Sequence, residues 1–100
     1  MIIVTRTFTR PNVNVPFFVG DKSTVDHHIS TVFQGANPTV LSRSMSLSED
    51  RLALTGTMTF VNQAALTALE SDAVFSAWHT ARSAYNAANG ITESFAIIEQ

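Results

Sequence analysis

The order of patterned segments constrains this chain more than any single residue: strand, helix, strand, strand, broken helix, strand, filling nearly all of its 100 residues. Such an order, joined by short connections, points to a compact α+β layer architecture, because few topologies link these segments without crossing or threading. Residues 2–9 alternate as a strand requires: Ile2, Val4, Arg6 and Phe8 fall on one face, Ile3, Thr5, Thr7 and Thr9 on the other. Pro11 and Pro16 each remove a backbone donor and fix φ, so residues 10–20 are expected to form an irregular loop, pinned to the core by Phe17 and Phe18. Val25, Ile29, Val32 and Phe33 recur at helical offsets and predict a first helix over residues 23–33, ended by Gly35 and Pro38.

Residues 39–48 and 51–61 read as a hairpin closed by a tight turn at Glu49 and Asp50. That turn sets Leu47 opposite Leu52, Met45 opposite Leu54, Arg43 opposite Gly56 and Leu41 opposite Met58. The other face of the hairpin carries Ser42, Ser44, Ser46 and Ser48 against Thr55, Thr57 and Thr59. Asn62 is suited to cap a short helix ending near Glu70, and Ser71 with Asp72 restarts a second helical segment. Val74, Phe75, Trp78, Ala81 and Tyr85 form its apolar stripe, and Asn89 with Gly90 suits a left-handed end. A last strand over residues 91–99 places Phe95 and Ile97 on one face, which completes a single domain over residues 1–100.

Composition narrows the function classes. A chain with 45% hydrophobic and 14% charged residues has a globular balance, and a core of this length is marginal enough that self-association is a natural supplement. Only 6 Lys plus Arg and a net charge of −2 leave no electrostatic footprint for nucleic acid. No Cys is present, so neither a disulfide nor a thiolate nucleophile is available. The start of the chain lacks the basic and cleavage regions of a signal peptide, and no apolar run approaches the roughly 18–20 residues that span a bilayer. No membrane partner is expected, and the location expected is the cytoplasm of a bacterial host or a virion.

The element order matches a ferredoxin-like β-α-β-β-α-β fold, a four-stranded antiparallel sheet with helices on one face. The stretch from Phe60, Val61 and Asn62 through Glu70, Ser71 and Asp72 to Trp78 and His79 resembles the strand, short helix, Ser-Asp break and long helix of the antibiotic-biosynthesis-monooxygenase-like group of dimeric α+β barrel proteins. That resemblance implies a homodimer or higher homo-oligomer, in which the Ser/Thr side of the sheet is buried against a partner. Haem-degrading members of the group use an Asn on the first strand, a Trp on the short helix and a His on the long one. Only His79 matches here, since those other positions fall near Thr7 and Ala68. Quinone-forming members without a cofactor place Trp, Tyr and Asn around an aromatic substrate, a set that is not matched residue by residue. The segment from Ala84 to Thr92 also resembles the ends of short uncharacterised proteins of tailed bacteriophages.

Candidate ligand-pocket residues are Arg6, Arg43, Gly56, Trp78, His79 and Tyr85. Arg6 and Arg43 interrupt apolar strand faces and are expected to converge over Gly56, where guanidinium forks suit a planar anion; the alternative is that both reach water or pair with Glu70 or Asp72. His79 has the chemistry of a general base or metal ligand but no evident partner constellation, while Trp78 and Tyr85 either wall an aromatic ligand or pack on the sheet. Adjacent His27 and His28 lack the i, i+4 spacing that grips one metal, so no metal site and no cofactor are expected. The first reading is a non-catalytic, self-associating protein, a phage structural or assembly component with other virion proteins as partners. The alternative is a small cofactor-independent monooxygenase, or a binder of a small aromatic ligand between sheet and long helix.

Overall fold

The structure, a computed structural model, describes residues 1–19 and 40–100. Strand β1 (Ile2–Thr9) is followed by β2 (Val40–Leu47), β3 (Ala53–Phe60), helix α1 (Gln63–Glu70), helix α2 (Ala73–Ala88) and β4 (Thr92–Glu99). The helix expected over residues 23–33, with His27 and His28, lies outside the described residues. The strands form one four-stranded sheet in the order β2-β3-β1-β4, antiparallel throughout, which is the ferredoxin-like arrangement expected from the segment order. Among the described residues no helix is long and apolar enough to cross a membrane.

Both helices start where polar side chains take up otherwise unpaired backbone donors. Asn62 Oδ1 accepts from the Ala65 N–H at 2.9 Å to open α1, and Asp72 Oδ1 accepts from the Phe75 N–H at 2.9 Å to open α2. At the far end of α2, Gly90 takes a φ of +70° and lets the Ile91 N–H return to the Asn86 carbonyl at 2.9 Å.

The core sits at one end of the sheet. Ile2 and Val40 flank Phe60 across three strands, and with Val4 they pack against Ala65, Leu66 and Leu69 of α1, with Met58 and Phe75 at the margin. A bulge between Val40 and Ser42 delivers Val40 into this row and leaves Leu41 54% exposed. The opposite face of the sheet carries hydroxyls in rows, Ser44–Thr57–Thr5 and Ser46–Thr55–Thr7, with Thr7 and Thr55 Oγ1 3.3 Å apart.

The hairpin register differs from the expected one by two residues. Leu47 faces Leu54, Met45 faces Gly56 and Arg43 faces Met58. A two-residue hairpin turn of either favoured type would put Glu49 at positive φ, which its side chain does not favour. The chain instead makes a wider loop, in which the Arg51 N–H bonds the Ser48 carbonyl at 2.9 Å and Asp50 Oδ1 accepts from Ser48 Oγ at 2.6 Å and from the Leu52 N–H at 3.0 Å. These bonds, that from Ser48 foremost, hold the Asp50 carboxyl below its ordinary value. Because the shift is even, every side chain keeps its face.

Arg51 closes the loop at φ +64°, a left-handed conformation that costs a non-glycine residue about 1 kcal/mol. Arg51→Gly is therefore expected to raise stability by about 0.5–1 kcal/mol and Arg51→Val to lower it, read from urea unfolding midpoints. Equal midpoints for the two variants would contradict this account of the loop.

Candidate active site

Helix α2 turns Phe75, Trp78, His79, Arg82, Tyr85, Asn86 and Asn89 inward, a stripe at spacings of three and four. Its two most buried members are polar: Arg82 is 6% exposed and Asn86 5%. Arg82 lies at the centre of the stripe, above the half of β1 beyond the core. Its guanidinium carbon sits 5.0 Å from the Phe8 ring centre and 4.6 Å from that of Trp78, so a cation is held between two aromatic faces.

Charge is only partly balanced. Glu93 on β4 receives Arg6 Nη1 at 2.8 Å and has Arg82 Nη2 at 3.5 Å, while Arg6 also lies 5.1 Å from the Phe95 ring centre. Two guanidiniums thus share one carboxylate. Arg82 Nη2 also stands 2.6 Å from His79 Nδ1. Arginine has only donors, so Nδ1 is the acceptor and the neutral ring carries its proton on Nε2. Burial lowers the His79 pKa, the charges of Arg82 and Arg6 lower it further, and Glu93 opposes them. Burial likewise pushes Arg82 down against the pull of Glu93, yet a guanidinium stays charged at any working pH. With His79 neutral, the cluster carries excess positive charge.

Three buried N–H donors on this face lack a partner among the described residues: Trp78 Nε1, Arg82 Nε and Asn86 Nδ2. They belong to residues four apart, so they follow one another along the helix at about 6 Å per step. Aromatic rings continue the wall, with Phe75 6.1 Å and Phe18 5.8 Å from Trp78, and Phe18 5.6 Å from Tyr85.

Of the residues singled out from sequence, Trp78 and His79 contact Arg82, Arg6 shares Glu93 with it, and Tyr85 lies one turn further along α2 against Phe18. Gly56 lies beside Arg6 in the β1–β3 ladder, but the room above it is taken by Met45, whose Sδ is 3.0 Å from where a Cβ would stand. Arg43 does not converge there; opposite Met58 on edge strand β2, it is exposed. Arg82, Asn86, Glu93 and Phe8 do not stand out from the sequence as site residues, the first two because only apolar residues define the α2 stripe there. The signal for Arg82 was present: it occupies the inward position midway between Trp78 and Tyr85. Among the described residues no group of three or more His, Cys, Asp or Glu could hold a metal ion.

No family model matches the sequence, and no curated protein matches it by sequence. Solved structures match by fold. The chain is similar to SnoaB, a cofactor-independent oxygenase from Streptomyces nogalater, at 13% identity and a TM-score of 0.66, covering 99% of this chain and 91% of that one. It is similar to a candidate antibiotic biosynthesis monooxygenase from Deinococcus radiodurans at 13% identity and a TM-score of 0.61, covering 100% and 92%. An ethyl tert-butyl ether D family protein from Bacillus halodurans matches at 12% identity and a TM-score of 0.54, covering 100% and 99%. The resemblance to the antibiotic-biosynthesis-monooxygenase-like group therefore holds at the level of the ferredoxin-like fold. The reading as a non-catalytic phage assembly component with virion partners is corrected: the matched folds include oxygenases, and they favour the alternative.

The depressed pKa of His79 carries a sign. The folded chain binds fewer protons than the unfolded one below the ordinary value of 6.5, so this contribution to stability is complete above that pH and is lost as pH falls through the lowered folded value. His79→Asn keeps an acceptor for Arg82 but does not titrate. Melting temperatures followed from pH 7.5 down to 5 are expected to fall more steeply for the wild type than for this variant, and parallel curves would refute the assignment.

Proposed function

We propose that this chain is a small cofactor-independent oxygenase acting on a planar aromatic substrate with an ionisable oxygen, a phenol or enol, held between the sheet and α2. The observation that carries the reading is the set of unpartnered donors, Trp78 Nε1, Arg82 Nε and Asn86 Nδ2, in an aromatic-walled cluster with excess positive charge. Donors without acceptors suit an anionic or carbonyl oxygen, and the rings of Phe8, Trp78 and Phe75 suit a flat carbon skeleton. An ionised phenol or enol is electron-rich enough to reduce dioxygen directly, so the contribution asked of the protein is to keep the substrate oxygen ionised and oriented. Arg82 and Arg6 supply the charge. His79, its Nδ1 engaged by Arg82, contributes an Nε2–H donor rather than a base. The fold likeness to a cofactor-independent oxygenase supports the same reading.

Oxygen uptake with a panel of hydroxylated naphthalenes and anthrones tests it. Uptake by the wild type and a loss of roughly 100-fold in Arg82→Leu, with the fold retained by circular dichroism, are expected. Ligand binding without oxygen uptake would remove the oxygenase and leave an aromatic-anion binder.

The reading includes a homodimer. The half-exposed rows of Ser44, Thr57 and Thr5, and of Ser46, Thr55 and Thr7, face away from α1 and α2, and a second copy of the same face would satisfy their hydroxyls and cover their methyls. Sedimentation equilibrium is expected to give a dimer for the wild type and a monomer for Thr57→Lys. A wild type that stays monomeric at high micromolar concentration counts against it.

A further inference from the structure

We propose that Glu93 sets the charge of the ligand, restricting the site around Arg6 and Arg82 to aromatic anions that carry a single negative charge; the inference deepens the site reading given above and rests on it. Oε1 of Glu93 takes the Arg6 Nη1 donor at 2.8 Å and lies 3.5 Å from Arg82 Nη2, so one carboxylate oxygen stands between two guanidiniums. The two contacts are unequal. Arg6 donates a hydrogen bond, whereas Arg82 turns Nη2 to His79 Nδ1 at 2.6 Å and stands too far from Glu93 for a short charge-assisted bond. Strand register puts the acid there: Glu93 pairs with Phe8 across the β1–β4 ladder, and the next pair on the same face is Phe95 with Arg6.

The charge of the cluster follows from these contacts. Arg6 and Arg82 are both positive, His79 is neutral because its Nδ1 accepts from Arg82, and Glu93 cancels one of the two cations, which leaves a single positive charge among the described residues of the cluster. A phenolate or enolate oxygen on the unpartnered Arg82 Nε balances that charge. Nε and Nη2 belong to one planar fork, so an oxygen taken by Nε lies within the breadth of that group from the hold of Glu93 on Nη2. A second ionised group beside the first on the ligand meets the Glu93 carboxylate, and it does so where Arg82 is buried and screening by water is weak. Placing like charges together rejects a ligand of the right shape and the wrong charge. The substrate class narrows accordingly, to phenols or enols without a carboxylate, phosphate or sulfate next to the ionising oxygen.

The chain's one tryptophan lies in this cluster, so quenching of Trp78 fluorescence reads ligand binding. Titrations of the full chain at pH 7.5, above the lowered His79 pKa, compare 2-naphthoate, a monoanion, with naphthalene-2,3-dicarboxylate, a dianion on the same flat skeleton. The wild type is expected to prefer the monoanion by about tenfold or more. Glu93→Gln keeps an oxygen for Arg6 and changes only the charge; it is expected to shift the ratio toward the dianion by about tenfold or more, and Glu93→Asp, which restores the charge, to bring the preference back. Arg6→Gln combined with Glu93→Gln removes one charge of each sign and is expected to return the ratio to within about threefold of the wild type. An unchanged ratio in Glu93→Gln would make Glu93 a strap between β4 and β1, and a ratio still shifted in the double variant would trace the change to packing; either overturns the proposal while leaving the site. A wild type that takes the dianion as tightly as the monoanion overturns it without recourse to any variant. Binding of neither anion by the wild type or the variants would overturn the site reading itself, and this inference with it.

Discussion

Strand β1 lies between β3 and β4 and is paired along its whole length on both sides, so its single alternation of side chains decides what each region of the sheet can be. One face begins with Ile2 and Val4, which enter the core beneath α1, and ends with Arg6 and Phe8, which lie beneath the second half of α2. The other face is Ile3 and three threonines. Core, polar cluster and hydroxylated surface are thus set by eight consecutive residues. A one-residue slip of β1 against either neighbour would exchange the faces and put Thr5 and Thr7 under the helix.

The polar cluster follows from placing a guanidinium in the middle of a helix's inward stripe. Desolvating Arg82 is costly, and a single carboxylate shared with Arg6 at 3.5 Å from one and 2.8 Å from the other does not fully offset it. The aromatic faces of Phe8 and Trp78 offset a further part through their negative quadrupoles. The same cation fixes the neighbouring imidazole, since a donor-only partner at Nδ1 leaves a neutral ring one tautomer. A protonated His79 would set a second donor against Arg82, so the 2.6 Å contact adds to the burial that lowers its pKa.

The architecture was legible because each element carried its own signal: alternation in β1 and in the hairpin, Asn62 and Asp72 as caps, and Asn89-Gly90 as a stop. The hairpin faces were legible too, but not its register, because that depends on a loop whose hydrogen bonds among Ser48, Asp50 and Leu52 only form together. The site was half legible. Arg6, Trp78, His79 and Tyr85 stood out as chemically unusual on their elements, whereas Arg82 and Asn86 were hidden by the rule that polar residues face water. Where a helix places Arg at the centre of an aromatic stripe, the rule and the stripe conflict, and here the stripe prevails. Glu93 was not recoverable from spacing alone, since its role depends on β4 lying beside β1, a pairing across 87 residues.

The fold alone does not make a site of this kind. At 13% identity and a TM-score of 0.66, what is shared with a cofactor-independent oxygenase is the scaffold, and the space between sheet and long helix is furnished by this chain's own residues. Those residues are expensive ones. A buried donor left unpaired costs about 1–3 kcal/mol, so three of them, at Trp78, Arg82 and Asn86, weigh noticeably against the stability of about 5–15 kcal/mol that a small domain possesses. Leu or Ile at positions 82 and 86 would pack the same stripe without that penalty. On the reading proposed above, an acceptor of matching charge and flatness would offset that cost, which is the energetic argument for placing such a molecule against these three donors.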